Sequence, residues 1–171
     1  MLFRSLFALR YQQGRSREVA PQLTTPDEAA APIVAGTALL AIALAESGRE
    51  DHARAVLDRA VRDRGVLVPR DNFLIGALGL FAGVAAICGT SGQRRVLHDA
   101  LMERPDRFCV FGSAGAVFGT SRHWLARLAH AEGDDAAAAT HLGIAAQLCD
   151  DAGARYWADR ARRELAELTT R

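Results

Sequence analysis

The sequence contains no lysine, and all 21 of its basic residues are arginine. They stand against 20 acidic residues, for a formal net charge of +1. Nucleic-acid surfaces need an excess of positive charge to displace counterions from phosphates, so this balance excludes a dedicated one. The missing lysine also removes the phosphate loop, which requires a lysine and a hydroxyl after its last glycine. The glycine-rich run Gly112-Ser-Ala-Gly115-Ala-Val-Phe-Gly119-Thr120 therefore reads as close packing of small residues, not as a nucleotide cradle. No nucleotide or other cofactor is expected.

Cysteines are few: Cys88, Cys109 and Cys149. They are odd in number with no close pair, which points to free thiols in a reducing, cytoplasmic setting. The five histidines, His52, His98, His123, His130 and His141, fall in no HExxH frame, so no metal site is expected. Ser121 and His123 are near neighbours, but nothing in the sequence supplies an oxyanion site or brings a base to the serine. No catalytic residue is assigned, and the chain is read as a non-enzyme. The N-terminal apolar stretch is cut at Arg10, too early for a signal-peptide core. Aromatics make up only 6% of a chain that is 50% hydrophobic. Alanine fills much of the difference, which favours closely packed helices. No stretch alternates apolar and polar residues, so no strand is expected.

What the chain does have is a recurring phrase: a glycine, four residues, a small residue, three residues, a larger one. It is clearest at Gly133, Ala138 and Leu142, followed by Ala145, and recurs at Gly48, Ala53 and Leu57, followed by Ala60. Weaker copies begin at Gly14 and Gly89. Each glycine ends one helical pattern just before another begins. In chain order, the spacing predicts a helix from the start to Gly14 and a short one from Ser16 to about Leu23. Thr25-Pro-Asp-Glu28 reads as a capping box. Further helices are predicted over about 32–47, 50–63, 72–88 and 93–104. Pro105 ends the last of these, and Phe108 to Thr120 is read as a connector entering a helix from about Ala116. The last three helices run through Trp124–Ala129, to about Asp150, and from Ala154 to Leu168. A membrane span over 72–93 is the alternative, because that stretch carries no charge and includes Gly79-Leu-Phe-Ala-Gly83, a GxxxG spacing.

The glycines at 14, 48, 89 and 133 are 34, 41 and 44 residues apart. Tetratricopeptide units have a period of about 34, and longer helical-hairpin arrays reach the forties. Residues 124–145 resemble a tetratricopeptide repeat, with Leu125, Gly133, Ala138 and Ala145 matching and Leu142 where an aromatic is usual. The larger layout resembles the C-terminal helical-repeat region of large bacterial signalling ATPases, including LuxR-type regulators and proteins with nucleotide-cyclase domains. It runs from Ala45-Glu-Ser-Gly48 through Val68-Pro-Arg-Asp-Asn72 and Ser121-Arg-His-Trp124 to Asp151-Ala-Gly-Ala-Arg-Tyr-Trp157. The resemblance implies an all-α, right-handed solenoid of degenerate helical hairpins spanning 1–171 as one domain, the C-terminal part of a larger ancestral protein. It implies a non-catalytic, protein-binding regulatory role, with a protein, a peptide or a neighbouring domain as partner. Counting back from the turn glycines places His123, Arg127 and His130 on one groove-facing line and Gly79 and Gly83 on another. The glycines call for close approach, either by a neighbouring helix or by a bound chain. The uncovered stripe Leu2, Phe3, Leu6 on the first helix suggests self-association.

Overall fold

A computed structural model of the chain describes residues 2–18, 35–62, 65–66, 73–111 and 116–170. The elements in order are α1 (Leu2–Gln12), a 3-10 turn (Ser16–Glu18), α2 (Ala35–Glu46), α3 (Glu50–Ala60), β1 (Val61–Arg62), β2 (Gly65–Val66), α4 (Leu74–Cys88), α5 (Ser91–Met102), β3 (Phe108–Phe111), β4 (Ala116–Thr120), α6 (Ser121–Ala131), α7 (Asp135–Asp151) and α8 (Arg155–Thr169). The molecule is mostly helical, with two small antiparallel strand pairs, β1–β2 and β3–β4. The expected capping box at Thr25–Glu28 lies outside the described residues.

The recurring glycine phrase has a local cause. Gly48 and Gly133 sit at φ +79° and +81°, where a side chain is strained. At each, the glycine N–H donates to the third carbonyl back, Ala45 O and His130 O. The next residue's N–H then donates five back, from Arg49 to Leu44 O and from Asp134 to Ala129 O. This pair of bonds is the Schellman stop, which satisfies carbonyls the helix end would leave open. The same pair closes α1 at Gly14 and α7 at Gly153. Gly89 departs from the phrase: its backbone is extended, at φ −81°. There the next helix is started by Thr90 and Gln93 in a reciprocal capping box, the Gln93 N–H donating to Thr90 Oγ1 and the Thr90 N–H to Gln93 Oε1.

Each helix from α2 to α8 packs on its chain neighbours; α2 also packs on α4, and α4 on α6. α4 is the centre. Residues on all its faces are buried, from Gly76 and Ala77 through Ala85 to Cys88. The main core collects Ile42, Leu57, Leu80, Phe81, Leu97, Leu101, Phe111, Phe118 and Trp124 around it. A smaller cluster, built mostly of alanine, joins α6, α7 and α8 through Ala126, Ala138, Leu142, Ala145, Ala146 and Ala161.

Two expectations are corrected. Residues 108–111 and 116–120 form strands, not a connector entering a helix at Ala116: β3 and β4 pair antiparallel with Phe108 opposite Thr120 and Phe111 opposite Ala116. The hairpin lies against α4, and Phe111 and Phe118 meet edge to face at 5.5 Å. Both of its faces carry apolar side chains, which erases the period-two signal. The uncharged stretch 72–93 is not one span. α4 has 15 residues and α5 starts three residues after it, whereas a crossing needs about 20. Among the described residues, no helix is long and apolar enough to cross a membrane.

α1 buries Phe7, Ala8 and Tyr11, while Leu6 and Leu9 on the other side are 38% and 49% exposed. Of the expected stripe, Leu6 lies on the exposed side, and the Leu2 and Phe3 side chains lie outside the described residues. Phe7 and Tyr11 pack on Phe118, so the first helix docks on the C-terminal half of the chain.

Candidate functional site

The site is built from one stripe on each of α6 and α8. Helical spacing puts Trp124, Arg127 and Ala131 on one face of α6, and Trp157, Arg160, Glu164 and Leu168 on one face of α8. At the N-terminal ends of these stripes, α1 covers them. Tyr11 lies 6.5 Å from the Trp124 ring, and Tyr156 donates its hydroxyl hydrogen to Gln12 O at 2.6 Å. The Arg160 guanidinium stands over both Tyr11 and Trp157, at 5.5 and 5.3 Å, a cation–π arrangement that also shields its aliphatic stem.

Below α1 lies a polar cluster. Arg160 Nε donates to Glu164 Oε1 at 3.0 Å. Glu164 Oε2 is 3.2 Å from His123 Nε2, close enough for ion-pair contact but out of line for a well-directed hydrogen bond. Burial holds the His123 ring below its usual pKa, against the pull of Glu164. Burial acts to raise the Glu164 carboxyl, but the His123 contact and the charges of Arg160 and Arg127 outweigh it and hold the group below the carboxylate range. Burial raises the Tyr11 hydroxyl above its usual value. Tyr11 Oη, His123 Nε2 and Arg127 Nη1 are all buried without a hydrogen-bond partner among the described residues. Such atoms usually cost about 1–3 kcal/mol each, so the cluster is under-satisfied.

Beyond the cluster a cleft of about 460 Å³ opens. α6 contributes Arg127 and His130, and α8 contributes Glu164 and Glu167. Ala86, Ile87, Leu142 and Leu168 supply apolar lining. Ile87 is 36% exposed, whereas an apolar residue at this point of a closed core would be covered.

Of the residues singled out in the sequence, Arg127 and His130 line this cleft. His130 is exposed and its Nδ1 lies 2.6 Å from Asp135 Oδ1. His123 does not face a groove. It is 2% exposed and packed edge-on against Trp157. Gly79 and Gly83 floor no open groove either. A Cβ at Gly79 would come within 2.6 Å of Trp124 Cδ1, and one at Gly83 within 2.6 Å of Trp124 Cζ3. The close approach they permit is made by the chain's own indole. The phrase positions Ala53, Leu57, Ala138 and Leu142 are all buried. Sequence reasoning missed Ile87, Glu164 and Glu167. Glu167 could have been found by running the spacing rule forward from Trp157 as it was run back from Gly133, a count that passes Glu164 by one position.

Burial pushes the Cys109 thiol up to about 12 and the Cys149 thiol to about 11, so neither is a ready nucleophile. All three cysteines are free and buried. Among the described residues, no group of three His, Cys, Asp or Glu side chains could hold a metal ion. No family model, curated protein or solved structure matches the chain.

Proposed function

We propose that the chain is a protein-interaction module of the tetratricopeptide-like class that acts by binding and not by chemistry. The observation that carries this reading is the cleft between α6 and α8: an apolar lining that includes a part-exposed isoleucine, flanked by charged side chains. Amphipathic helices seat their apolar faces in grooves of this kind. The row α2, α4, α6 and the repeated Schellman turns support a helical-hairpin array, in which helix pairs bury their apolar faces on their neighbours. On this reading the partner is a protein, a peptide or a neighbouring domain of a parent regulator, as in the bacterial signalling ATPases the sequence resembles. The module uses no cofactor and does not itself bind nucleic acid.

Selection of a displayed library of amphipathic helices against the immobilised chain tests the reading. Binders are expected to be enriched and to lose their affinity for an Ile87→Arg variant whose melting temperature is unchanged. If no helix is enriched, or the enriched ones bind the variant equally well, the cleft is not the docking site.

A further inference from the structure

We infer that the cleft receives one amphipathic helix of a different protein, with acidic residues along one flank and basic residues along the other. The inference rests on the binding role proposed above and adds the chemistry of the partner. Charges in the cleft are sorted by wall. Arg127 and His130 stand one turn apart on α6, and Glu164 and Glu167 one turn apart on α8, with the apolar lining between them. A helix whose apolar stripe meets Ile87 and Leu168 would bring one flank to each wall. Opposite charges there favour encounter and register, while like charges are penalised.

Both walls hold unused capacity. Arg127 has Nη1 buried without an acceptor among the described residues, and its guanidinium is steadied 5.6 Å above the Trp124 ring. Arg160, one turn away across the cluster, already donates to Glu164. The Glu167 side chain is exposed and makes no ion pair among the described residues. The molecule also contains a precedent for a helix in this place. α1 lies against the N-terminal part of the same two stripes, through Tyr11 on Trp124 and Arg160 and through Gln12 on Tyr156. The cleft continues those stripes toward the C-terminal ends of α6 and α8. A second copy is a poor occupant. The helix whose exposed side carries Leu6 and Leu9, α1, has Arg4 and Arg10 in its sequence and no acidic residue to offer Arg127.

The test uses three designed helical peptides of about 15 residues, near the lower limit for an isolated helix. They share one leucine stripe. One has an acidic and a basic flank, one two acidic flanks, and one two basic flanks. A flank-swapped peptide is uninformative, because a helix can reverse direction in the groove. In fluorescence anisotropy at low ionic strength, the mixed peptide is expected to bind the full chain about tenfold tighter than either uniform one, with the margin shrinking in salt. Arg127→Glu should shift the preference to the basic peptide. Glu167→Arg, at an exposed side chain that folding does not need, should shift it to the acidic one. Equal affinities for all three peptides overturn the charge-sorted partner and leave the binding role standing. No saturable binding by any of them overturns the role as well. Displacement of the mixed peptide by excess unlabelled chain would assign the cleft to a second copy and overturn the inference.

Discussion

α4 and α7 are both rich in small residues, yet they use them against different things. In α4, Gly76, Gly79 and Gly83 form one stripe, and aromatic rings lie directly on the backbone there. A Cβ at Gly76 would stand 2.5 Å from Phe111 Cδ2, as the other two would stand against Trp124. In α7 the buried small residues are Ala138, Ala145 and Ala146, and they share a cluster with Ala126 of α6 and Ala161 of α8. There, methyl groups meet methyl groups between helices. α4 gives up helix propensity, about 1 kcal/mol per glycine relative to alanine, to seat flat rings. α7 keeps the propensity because its neighbours are helices of the same calibre. A stripe of small residues thus states how close something comes, and the partner's shape decides whether glycine or alanine is used.

The largest expected effect comes from removing the ring that justifies the glycines. Trp124 is fully buried and its Nε1 donates to Phe118 O at 2.8 Å. Trp124→Ala should cost about 3–5 kcal/mol in urea unfolding, through the cavity it leaves. Gly79→Ala sharpens the point. In the wild type it should destabilise by about 1–3 kcal/mol, because the indole is tethered and cannot yield to the new methyl. In the Trp124→Ala background the same change should be neutral or favourable by up to about 1 kcal/mol. Equal costs in both backgrounds would show that the indole does not explain the glycine.

On the α7 side, Ala138 is fully buried at the junction with α6 and α8. Ala138→Leu should overpack it and cost about 1–3 kcal/mol. A loss within about 0.5 kcal/mol, the usual size for a surface site, would mean that the alanine cluster is loosely packed and differs from α4 in tightness as well as in shape.

The two helices also mark what could be read in advance. The turn phrase was legible because a Schellman stop is local: the glycine and the helix before and after it are all within one stretch, as at Gly48 and Gly133. The buried alanine at Ala138 followed from the same register. The identity of what covers Gly79 and Gly83 was not legible. Trp124 reaches them from about 40 residues away, by way of a hairpin that has no period-two pattern. For the site, Arg127 and His130 were reachable by counting along α6. His123, on the same count, turned inward because Trp157 and Glu164 meet it there. The opposite wall, Glu164 and Glu167, depends on how α8 folds back on α6, which no local pattern specifies.

The next effect down separates turn glycines from packed ones. No atom of the described residues lies within 4 Å of where a Cβ at Gly133 would be, which leaves the positive φ of 81° as its requirement. Gly133→Ala should cost about 1–2 kcal/mol, the usual cost of a left-handed residue with a side chain. Trp124→Ala should leave that cost unchanged, unlike the cost at Gly79. If the Gly133 cost falls away in that background, the turn is being held by the core and not by its own hydrogen bonds.

Gly143 is the smallest case and has the opposite sign. It lies inside α7, exposed, with ordinary helical backbone and open space around its missing Cβ. It meets none of the demands that fix the other glycines: no ring lies on it and no left-handed turn passes through it. Gly143→Ala should therefore stabilise the chain by about 0.5–1 kcal/mol, by lowering the backbone entropy lost on folding. Thermal and urea unfolding of the variant beside the wild type would measure it. A gain there, set against losses at Gly79 and Gly133, would divide the glycines into seats for rings, turns and dispensable positions. A loss at Gly143 would break that division, since no described residue stands where its Cβ would go.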